Sequence, residues 1–540
     1  MNRLPEALAV LIPLLYCAFF LAPARHLAPG EYFLGLVHPD QPVYYALARE
    51  AFESGNGLAY ASPYSNQPDS PRVYSHFCFL VIGYIWKLTG LPLPALDYLL
   101  RAVFGIAAML LVVRLFRAAL PRSAPIAFGA AAVISCGGIA WAVALFQLIE
   151  YHVFFGAGPA SWDSYLTLFK QAESGYGEWY LNVFGNLAFV HELMFHVLFL
   201  AGALALVRGR AWLATAMLFL VWWSHPYTGL QLGLIAGAFL IVEVIRGRRA
   251  WVLPLLAVAA INILFVAYYL VFLPRFAEHA SVYEQMRRFS TPMLASKLLP
   301  AYGVFMGLAV AYAAAPDFRR LLKESAPARL MLAWLVVTAG LIFHDKLLFF
   351  MKPFQPMHFT RGYLFVPLVY FATCAMGRLK ARQNWSSRKY AFLLGILLIV
   401  QLPDNLIRTA MLRAEVNDKY FIYQIYKTPR ATIDILQKLD AVQPTLTVHA
   451  IGLDNVEKLI PVLTHHRAAL AHLYNTPFQN EKRDLVEKLN RDVSLDLVHR
   501  LKITALLIPC KSGSILAALP ADSYSILPLN QDAELVVIKK

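Results

Sequence analysis

The chain has 540 residues, of which 59% are hydrophobic and only 15% are charged, and its mean hydropathy is +0.53. About a quarter of the residues in an ordinary soluble domain are charged, so long segments of this chain must avoid water. The composition excludes an intrinsically disordered chain, a disulfide-rich secreted module and a soluble nucleic-acid binder. The net charge of +15 indicates either an anionic partner or basic cytoplasmic loops, depending on where Lys and Arg lie.

Long apolar stretches recur as far as residue 407, and a spanning helix needs about 20 such residues. The first stretch, at 6–24, follows Arg3 and is expected to be a retained signal-anchor. Further candidate spans lie at 96–118, 124–149, 187–207, 211–224, 228–245, 251–273, 298–315, 329–344, 361–377 and 390–407. Lys87 interrupts the apolar run at 76–93, which predicts a juxtamembrane helix rather than a span. The sequence therefore predicts an α-helical polytopic membrane protein with about eleven spans.

Basic residues cluster in every second loop between these spans. The clusters are Arg114, Arg117 and Arg122; Arg208 and Arg210; Arg246, Arg248 and Arg249; Arg319, Arg320, Lys323 and Arg329; and Arg378, Lys380, Arg382, Arg388 and Lys389. Cytoplasmic loops carry an excess of Lys and Arg, so the pattern predicts a cytoplasmic N terminus and an extracytoplasmic C-terminal segment. This placement accounts for most of the positive charge without nucleic acid.

Two domains are predicted, a transmembrane domain at 1–407 and a soluble domain at 408–540. Within the first, the outer loops 25–95 and 150–186 are long and rich in aromatic and acidic residues, which favours a functional role. Beyond Arg408, amphipathic helices alternate with short strands and end in a closing hairpin near 524–538. The pattern predicts a small extracytoplasmic α/β domain.

The first outer loop contains His38-Pro39-Asp40-Gln41-Pro42 and, further on, Tyr44 and Tyr74. A carboxylate at a membrane–water boundary can act as a general base. Asp40 is equally well placed to cap a helix that begins at Pro42. Spacing alone leaves both interpretations open.

A second candidate is Pro356–Tyr363, which contains His358 and Arg361. Arg361 lies on the predicted outer side, against the positive-inside trend, as do Lys346 and Lys352. A guanidinium there can grip a lipid phosphate in a forked geometry. Alternatively, these cations contact ordinary headgroups.

Several other polar residues lie near the predicted outer surface. His225, in a turn between two spans, is either a hydrogen-bond donor to sugar or phosphate or an interfacial residue. Glu150, Asp163 and Glu192 are weak candidates for a divalent-metal site, because ionisable groups at membrane depth are often functional. His472 has no ligand spacing, and neither has the pair His465-His466, so these histidines are expected at the surface.

The segment 38–75 and, more weakly, 356–368 resemble the GT-C glycosyltransferases, polytopic enzymes that use polyprenyl-phosphate-linked sugars. In both, an Asp shortly after the first span is followed by Tyr, Ala, Gly and a Pro-Tyr pair. The resemblance implies that Asp40 is the base that deprotonates the acceptor hydroxyl and that Arg361 binds the carrier phosphate. Many members have a second acid where this chain has Gln41, and a metal-dependent reaction is then less expected. The remaining candidate substrate-binding residues are Lys346, Lys352, His225, Tyr44, Tyr74 and His358.

The leading hypothesis is an inverting glycosyltransferase at the outer face of a bacterial inner membrane. Its expected partners are a polyprenyl-phosphate sugar, the lipid bilayer and an acceptor that is a lipid, a glycan or a protein. No cofactor is required, although a divalent metal stays possible. The alternatives are a transporter or flippase for a lipid-linked substrate, and a catalytically inert membrane scaffold of the same fold.

Overall fold

The structure is a computed structural model of the full chain. It describes residues 3–53, 57–67, 69–154, 161–173, 183–288, 290–416, 425–453, 456–472, 474–510 and 512–539. Parts of the second outer loop therefore lie outside the described residues.

Helices dominate the chain as far as Glu415, and shorter helices continue beyond it. In chain order the α-helices are Leu4–Leu21, Gln41–Glu53, Phe77–Thr89, Leu93–Ala119, Ile126–Ser135, Ala140–Phe154, Trp162–Glu173, Val190–Val207, Ala211–Ser224, Pro226–Ile245, Val252–Ala267, Ala277–Arg288, Leu298–Ala313, Pro316–Glu324, Ala326–Ile342, His344–Leu347, Phe365–Gln383, Ser387–Gln401, Pro403–Glu415, Arg430–Asp440, Val456–Leu463, Gln479–Arg491, Leu495–Arg500 and Gly513–Ala517.

Within the described residues, seven helical segments are long and apolar enough to cross a membrane. Two bent helix pairs raise the number to nine if each pair is one span. The prediction of a mostly helical polytopic protein is confirmed, but the number of spans is lower than the predicted eleven. One reason is that Ala211–Ser224 has only 14 residues. Another is that the helix Phe365–Gln383 ends in a basic segment with Arg378, Lys380 and Arg382.

Contacts between Cα atoms divide the chain into two compact units that are interleaved in sequence. We call the first the helical unit; it comprises Met1–Phe19, Tyr98–Phe265 and Ser290–Ala414. We call the second the mixed unit; it comprises Phe20–Asp97, Val266–Phe289 and Glu415–Lys540. The first outer loop thus belongs to the same compact unit as the C-terminal segment.

In the helical unit, Asp404 caps the second helix of a bent pair, Ile126–Ser135 and Ala140–Phe154. Its carboxylate accepts hydrogen bonds from the backbone N–H groups of Gly138 (3.0 Å), Ala140 (3.0 Å) and Trp141 (2.8 Å). Asp404 is 8% exposed, so these donors are shielded from water that would otherwise bind them. The Asp404 side chain therefore supplies the hydrogen-bond acceptors for the backbone N–H groups at the bend between the two helices.

Replacing Asp404 by Ala is expected to destabilise the protein by about 3 kcal/mol, because it leaves shielded N–H donors without an acceptor. Asp404→Asn keeps one acceptor oxygen and is expected to lose less. Thermal unfolding of both variants in detergent checks the order. Equal stability of Asp404→Ala and wild type would refute the capping role.

The C-terminal segment of the mixed unit contains a five-stranded sheet, which agrees with the predicted α/β character of this segment. Among the residues that the structure describes, the strands of this unit are β1 Glu31–Phe33, β2 Lys427–Pro429, β3 Thr447–Ala450, β4 Arg467–Ala468, β5 Ala505–Pro509, β6 Tyr524–Pro528 and β7 Ala533–Ile538. The sheet has the order β4-β3-β5-β7-β6. β3 is parallel to β4 and β5, whereas β7 is antiparallel to β5 and to β6.

Two contacts tie the first outer loop to the C-terminal segment within this unit. β1 pairs antiparallel with β2, with Tyr32 opposite Thr428. Arg49, on the helix Gln41–Glu53, bonds the carboxylate of Asp440 at 3.0 Å. These contacts join segments that are about 400 residues apart in sequence, which no local pattern predicts.

The prediction that His466 lies at the surface is wrong. Its side chain is 2% exposed, its Nδ1 accepts the N–H of Leu446 (3.0 Å), and its Nε2 donates to the carbonyl of Leu439 (2.7 Å). Burial lowers the pKa of His466 to about 4. His465 is also half-buried and contacts Asp440 at 3.1 Å.

This burial predicts a pH dependence of stability. As the pH falls from about 7 to about 5, the unfolded chain binds a proton at His466 that the folded chain does not, so stability falls. The loss from this residue is about 2 kcal/mol. We expect the melting temperature of His466→Gln to fall less steeply over this range than that of the wild type. Parallel pH profiles of the two proteins would exclude this contribution.

Candidate functional site

The first outer loop turns at Asp40, directly before the helix Gln41–Glu53. Gln41 is 2% exposed, and its Oε1 accepts hydrogen bonds from the backbone N–H groups of Val37 (2.6 Å) and His38 (3.1 Å). The N–H of Asp40 donates to Nδ1 of His38 at 3.2 Å. Gln41 therefore braces the backbone of the turn from which the Asp40 side chain projects.

The Asp40 carboxylate contacts a histidine from the C-terminal segment of the same unit. Nε2 of His472 lies 3.1 Å from Oδ1 of Asp40, and the two side chains are 12% and 29% exposed. Nδ1 of His472 accepts the backbone N–H of Tyr474 (3.2 Å) and faces Nδ2 of Asn475 (3.0 Å). Since Nδ1 is an acceptor, neutral His472 carries its proton on Nε2 and donates it to Asp40. The prediction that His472 lies at the surface is wrong, because its side chain is only 12% exposed and contacts Asp40.

Tyr44 and Tyr74, the other candidates in this loop, make aromatic contacts within the mixed unit. Tyr44 stacks on Phe79 with ring centroids 5.9 Å apart. Tyr74 forms a backbone bridge with Tyr60, and its ring centroid lies 5.8 Å from that of His279. Both tyrosines stay candidates for substrate binding.

Arg361 lies in a buried polar cluster of the helical unit. Its guanidinium pairs with the carboxylate of Glu192 and donates from Nη2 to Nδ1 of His358 at 2.7 Å. Arg361 is 3% exposed and Glu192 is 1% exposed. A left-handed turn, with φ of +28° at Arg361 and +83° at Gly362, directs the side chain into the cluster. Burial of both charges together avoids the large cost of an unpaired buried charge.

His225 lies beside this cluster and caps the helix Pro226–Ile245. Its Nδ1 accepts the N–H of Thr228 at 3.3 Å, and its ring centroid is 5.5 Å from that of His358. Burial, followed by the charge of Arg361, holds the pKa of His225 well below its usual range. His225 is therefore a neutral side chain with its proton on Nε2, next to the Arg361 cation.

Lys346 and Lys352 lie elsewhere in the helical unit, on an exposed loop. Among the contacts that the structure describes, none joins either lysine to Arg361. Arg361, His358 and His225 thus form a cluster without them.

The weak metal candidates do not come together. Glu192 is engaged with Arg361, Glu150 is half-buried, and Asp163 is exposed. Throughout the described part of the chain, no group of three or more His, Cys, Asp and Glu side chains is arranged to hold a metal ion. The residues present near Asp40 and Arg361 therefore do not fit a divalent-metal site.

The candidate residues fall into two groups, each held together within one compact unit. Those of the mixed unit are Asp40, Tyr44 and Tyr74, and those of the helical unit are Arg361, His358 and His225. Sequence reasoning missed the contact between His472 and Asp40, because the two residues are 432 positions apart. The pairing of Arg361 with Glu192 had a signal in sequence, since both are charges in apolar surroundings that call for a partner.

No protein-family model matches the sequence, and no curated protein matches it either. Several solved structures align with most of the chain, at TM-scores below 0.5. The archaeal oligosaccharyltransferase AglB from Archaeoglobus fulgidus, in complex with an inhibitory peptide and a dolichol-phosphate, is 15% identical with a TM-score of 0.46. The match covers 96% of this chain and 71% of AglB.

Two further solved structures match over almost the whole chain. ArnT from Cupriavidus metallidurans, in the apo state, is 14% identical with a TM-score of 0.46, covering 98% of this chain and 97% of ArnT. The arabinofuranosyltransferase AftD from Mycobacteria is 13% identical with a TM-score of 0.49, covering 100% of this chain and 40% of AftD.

Proposed function

We propose that the chain is an inverting glycosyltransferase that moves a sugar from a polyprenyl-phosphate donor to an acceptor hydroxyl. The observation that carries this proposal is the Asp40 carboxylate. It follows the first candidate span, it is partly exposed, and it is held through one oxygen by a hydrogen bond from His472. A carboxylate oriented in this way can accept a proton from a bound hydroxyl.

In the proposed reaction, Asp40 takes the proton of the acceptor hydroxyl. The electron pair of the broken O–H bond forms the new bond to the anomeric carbon. The bond between that carbon and the phosphate oxygen breaks, and the polyprenyl phosphate leaves with its electron pair. Attack from the face opposite the leaving group inverts the anomeric centre.

The cluster around Arg361 supports a role in binding the carrier phosphate. Arg361 supplies a permanent positive charge, and His225 supplies a neutral N–H donor beside it. In a site shielded from water, such groups stabilise the growing charge of a leaving phosphate more than they would in solvent. Glu192 balances Arg361 before the donor binds.

The sidedness of the reaction follows from the basic loops. We propose that the N terminus is cytoplasmic, that Asp40 faces the outer side of a bacterial inner membrane, and that the C-terminal segment is extracytoplasmic. The alternation of Lys- and Arg-rich loops supports this orientation.

The test is to incubate the purified protein in nanodiscs with polyprenyl-phosphate sugars that carry a labelled sugar. We expect release of the carrier phosphate together with a labelled acceptor product. Movement of intact donor between the leaflets of proteoliposomes, without release, would instead indicate a transporter. If neither release nor movement of the donor is observed, the proposal is contradicted, and the catalytically inert membrane scaffold is the remaining alternative.

A further inference from the structure

The hydrogen bond between His472 and Asp40 has a fixed direction. Nδ1 of His472 receives the backbone N–H of Tyr474, and a backbone amide cannot reverse its role. Nε2 is therefore the donor, and Oδ1 of Asp40 is the acceptor at 3.1 Å. We propose that His472 is a positioning residue that orients Asp40 as the base. This inference rests on the function proposed above.

Oδ1 of Asp40 accepts the hydrogen bond from His472, and Oδ2 lies 3.8 Å from Nδ1 of His38. That His38 nitrogen accepts the N–H of Asp40, so it does not donate to Oδ2. When the acceptor O–H bond breaks, its proton passes to the Asp40 carboxylate, and His472 keeps its hydrogen bond to Oδ1. The proton leaves Asp40 for water after the product departs.

The groups that face the pair are His38, Tyr64 and Tyr474. The ring of Tyr64 lies 6.3 Å from that of His472, and the ring of Tyr474 lies 5.9 Å from it. Burial, followed by the charge of Asp40, raises the pKa of both tyrosines, so they stay neutral in the working pH range. The other titratable group that faces the pair is His38, through its contact with Asp40.

Two substitutions distinguish the hydrogen bond that His472 donates to Asp40 from the space that its side chain fills. Gln at position 472 places an amide N–H near the position of Nε2, whereas Phe fills the space without a donor. We expect His472→Gln to keep transfer within about threefold of the wild type and His472→Phe to lose about tenfold at pH 7. The acid limb of the pH–rate profile is expected to move to higher pH in His472→Phe, because the ionised carboxylate loses a stabilising bond.

The control is His499→Phe, at an exposed position of the same unit, which should leave both the rate and the profile unchanged. An unshifted acid limb in His472→Phe, or a His472→Gln variant as inactive as His472→Phe, would overturn the positioning role.

A second measurement does not depend on transfer. Melting temperatures are compared for Asp40→Ala, which removes the acceptor, for His472→Phe and for the double variant. We expect the double variant to lose less than the sum of the two single losses, because both substitutions disrupt the same contact. If the losses are non-additive but no transfer is measured, the contact between Asp40 and His472 is supported and the proposed function is rejected. If the losses are additive but transfer depends on Asp40, the proposed function is supported and the positioning role of His472 is rejected.

A separate observation concerns five consecutive apolar residues in the loop between Lys346 and Lys352. We call Leu347–Met351 the apolar tip. The exposed fractions of its side chains are 66%, 42%, 90%, 74% and 43% in chain order. A contiguous exposed apolar patch of this kind marks an interaction site. With five residues, it is far too short to span a bilayer.

The position and charge of the tip identify its partner. It follows closely on the helix Ala326–Ile342, the second arm of a candidate span, so it lies where a span ends. Exposed lysines flank it on both sides, and lysine ammonium groups near apolar side chains suit lipid phosphates. We propose that the apolar tip inserts into the interfacial layer of the bilayer, with Lys346 and Lys352 on anionic headgroups.

The test uses a spin label at position 349. The label is attached to Phe349→Cys in a Cys510→Ser background, because the other native cysteines are buried. In nanodiscs that contain phosphatidylglycerol, we expect the label to be accessible to oxygen and shielded from an aqueous nickel chelate. A label on Asp522→Cys, at an exposed position, should show the opposite preference.

The lysines are tested by the lipid dependence of the same signal. The label should lie deeper in nanodiscs that contain phosphatidylglycerol than in nanodiscs of phosphatidylcholine alone. The double substitution Lys346→Gln, Lys352→Gln should remove this difference in depth. Access of the nickel chelate equal to that at position 522 would overturn the insertion. If the label is shielded from the nickel chelate only after polyprenyl phosphate is added, the tip belongs to the donor-binding site. The proposal that it inserts among ordinary bilayer lipids is then wrong.

Discussion

Replacing Asp40 by Asn is expected to lower release of the carrier phosphate by at least ~100-fold, the usual effect of losing a general base. The amide has the shape of the carboxylate, and its oxygen can still accept the hydrogen bond from His472. It cannot take the proton of the acceptor hydroxyl. The measurement is single-turnover release of carrier phosphate by purified wild type and variant.

The fold should survive this substitution, because the Asp40 side chain is 29% exposed and keeps its partner. An unchanged melting temperature would show that activity is lost through chemistry rather than unfolding. The matched control is Asp522→Asn, on an exposed turn of the same unit, which should transfer at the wild-type rate. A fully active Asp40→Asn protein would remove Asp40 as the base.

Replacing Arg361 by Met is expected to destabilise the protein by about 3–5 kcal/mol, because it leaves the Glu192 charge buried without its main partner. Adding Glu192→Leu removes that charge and should restore stability to within about 1 kcal/mol of the wild type. Melting temperatures of the single and double variants check this order. Arg320→Met, which breaks the exposed pair with Glu324, should change the melting temperature little.

The double variant also separates stability from function. If Arg361 binds the carrier phosphate, the protein with Arg361→Met and Glu192→Leu folds but transfers poorly. Recovery of both stability and transfer would make the ion pair purely structural.

Local patterns in the sequence predict the local features of the fold. Apolar runs predict the spanning helices because their length must match the bilayer. The closing hairpin at β6 and β7 follows from short apolar strands separated by a turn. The number of spans is overestimated because apolar stretches such as 211–224 are counted as spans although they have fewer than the about 20 residues that a span needs.

The candidate site depends instead on contacts between distant segments. Asp40 was identifiable from its position after the first span, but its bond to His472 depends on how the C-terminal segment packs on the first outer loop. The pairing of β1 with β2 is of the same kind. The partner of Arg361 was easier to predict, since an arginine in apolar surroundings requires an acidic partner. Glu192 was already a candidate functional residue, as a weak candidate for a metal site.

We propose that Asp40 and the Arg361 cluster serve different steps of one reaction, proton transfer and phosphate binding. The most direct measurement is the dissociation constant of undecaprenyl phosphate, a member of the proposed class of carrier. We expect Asp40→Asn to bind it within about threefold of the wild type, and the Arg361→Met, Glu192→Leu variant to bind at least ~10-fold more weakly. Wild-type affinity in that double variant would contradict the account.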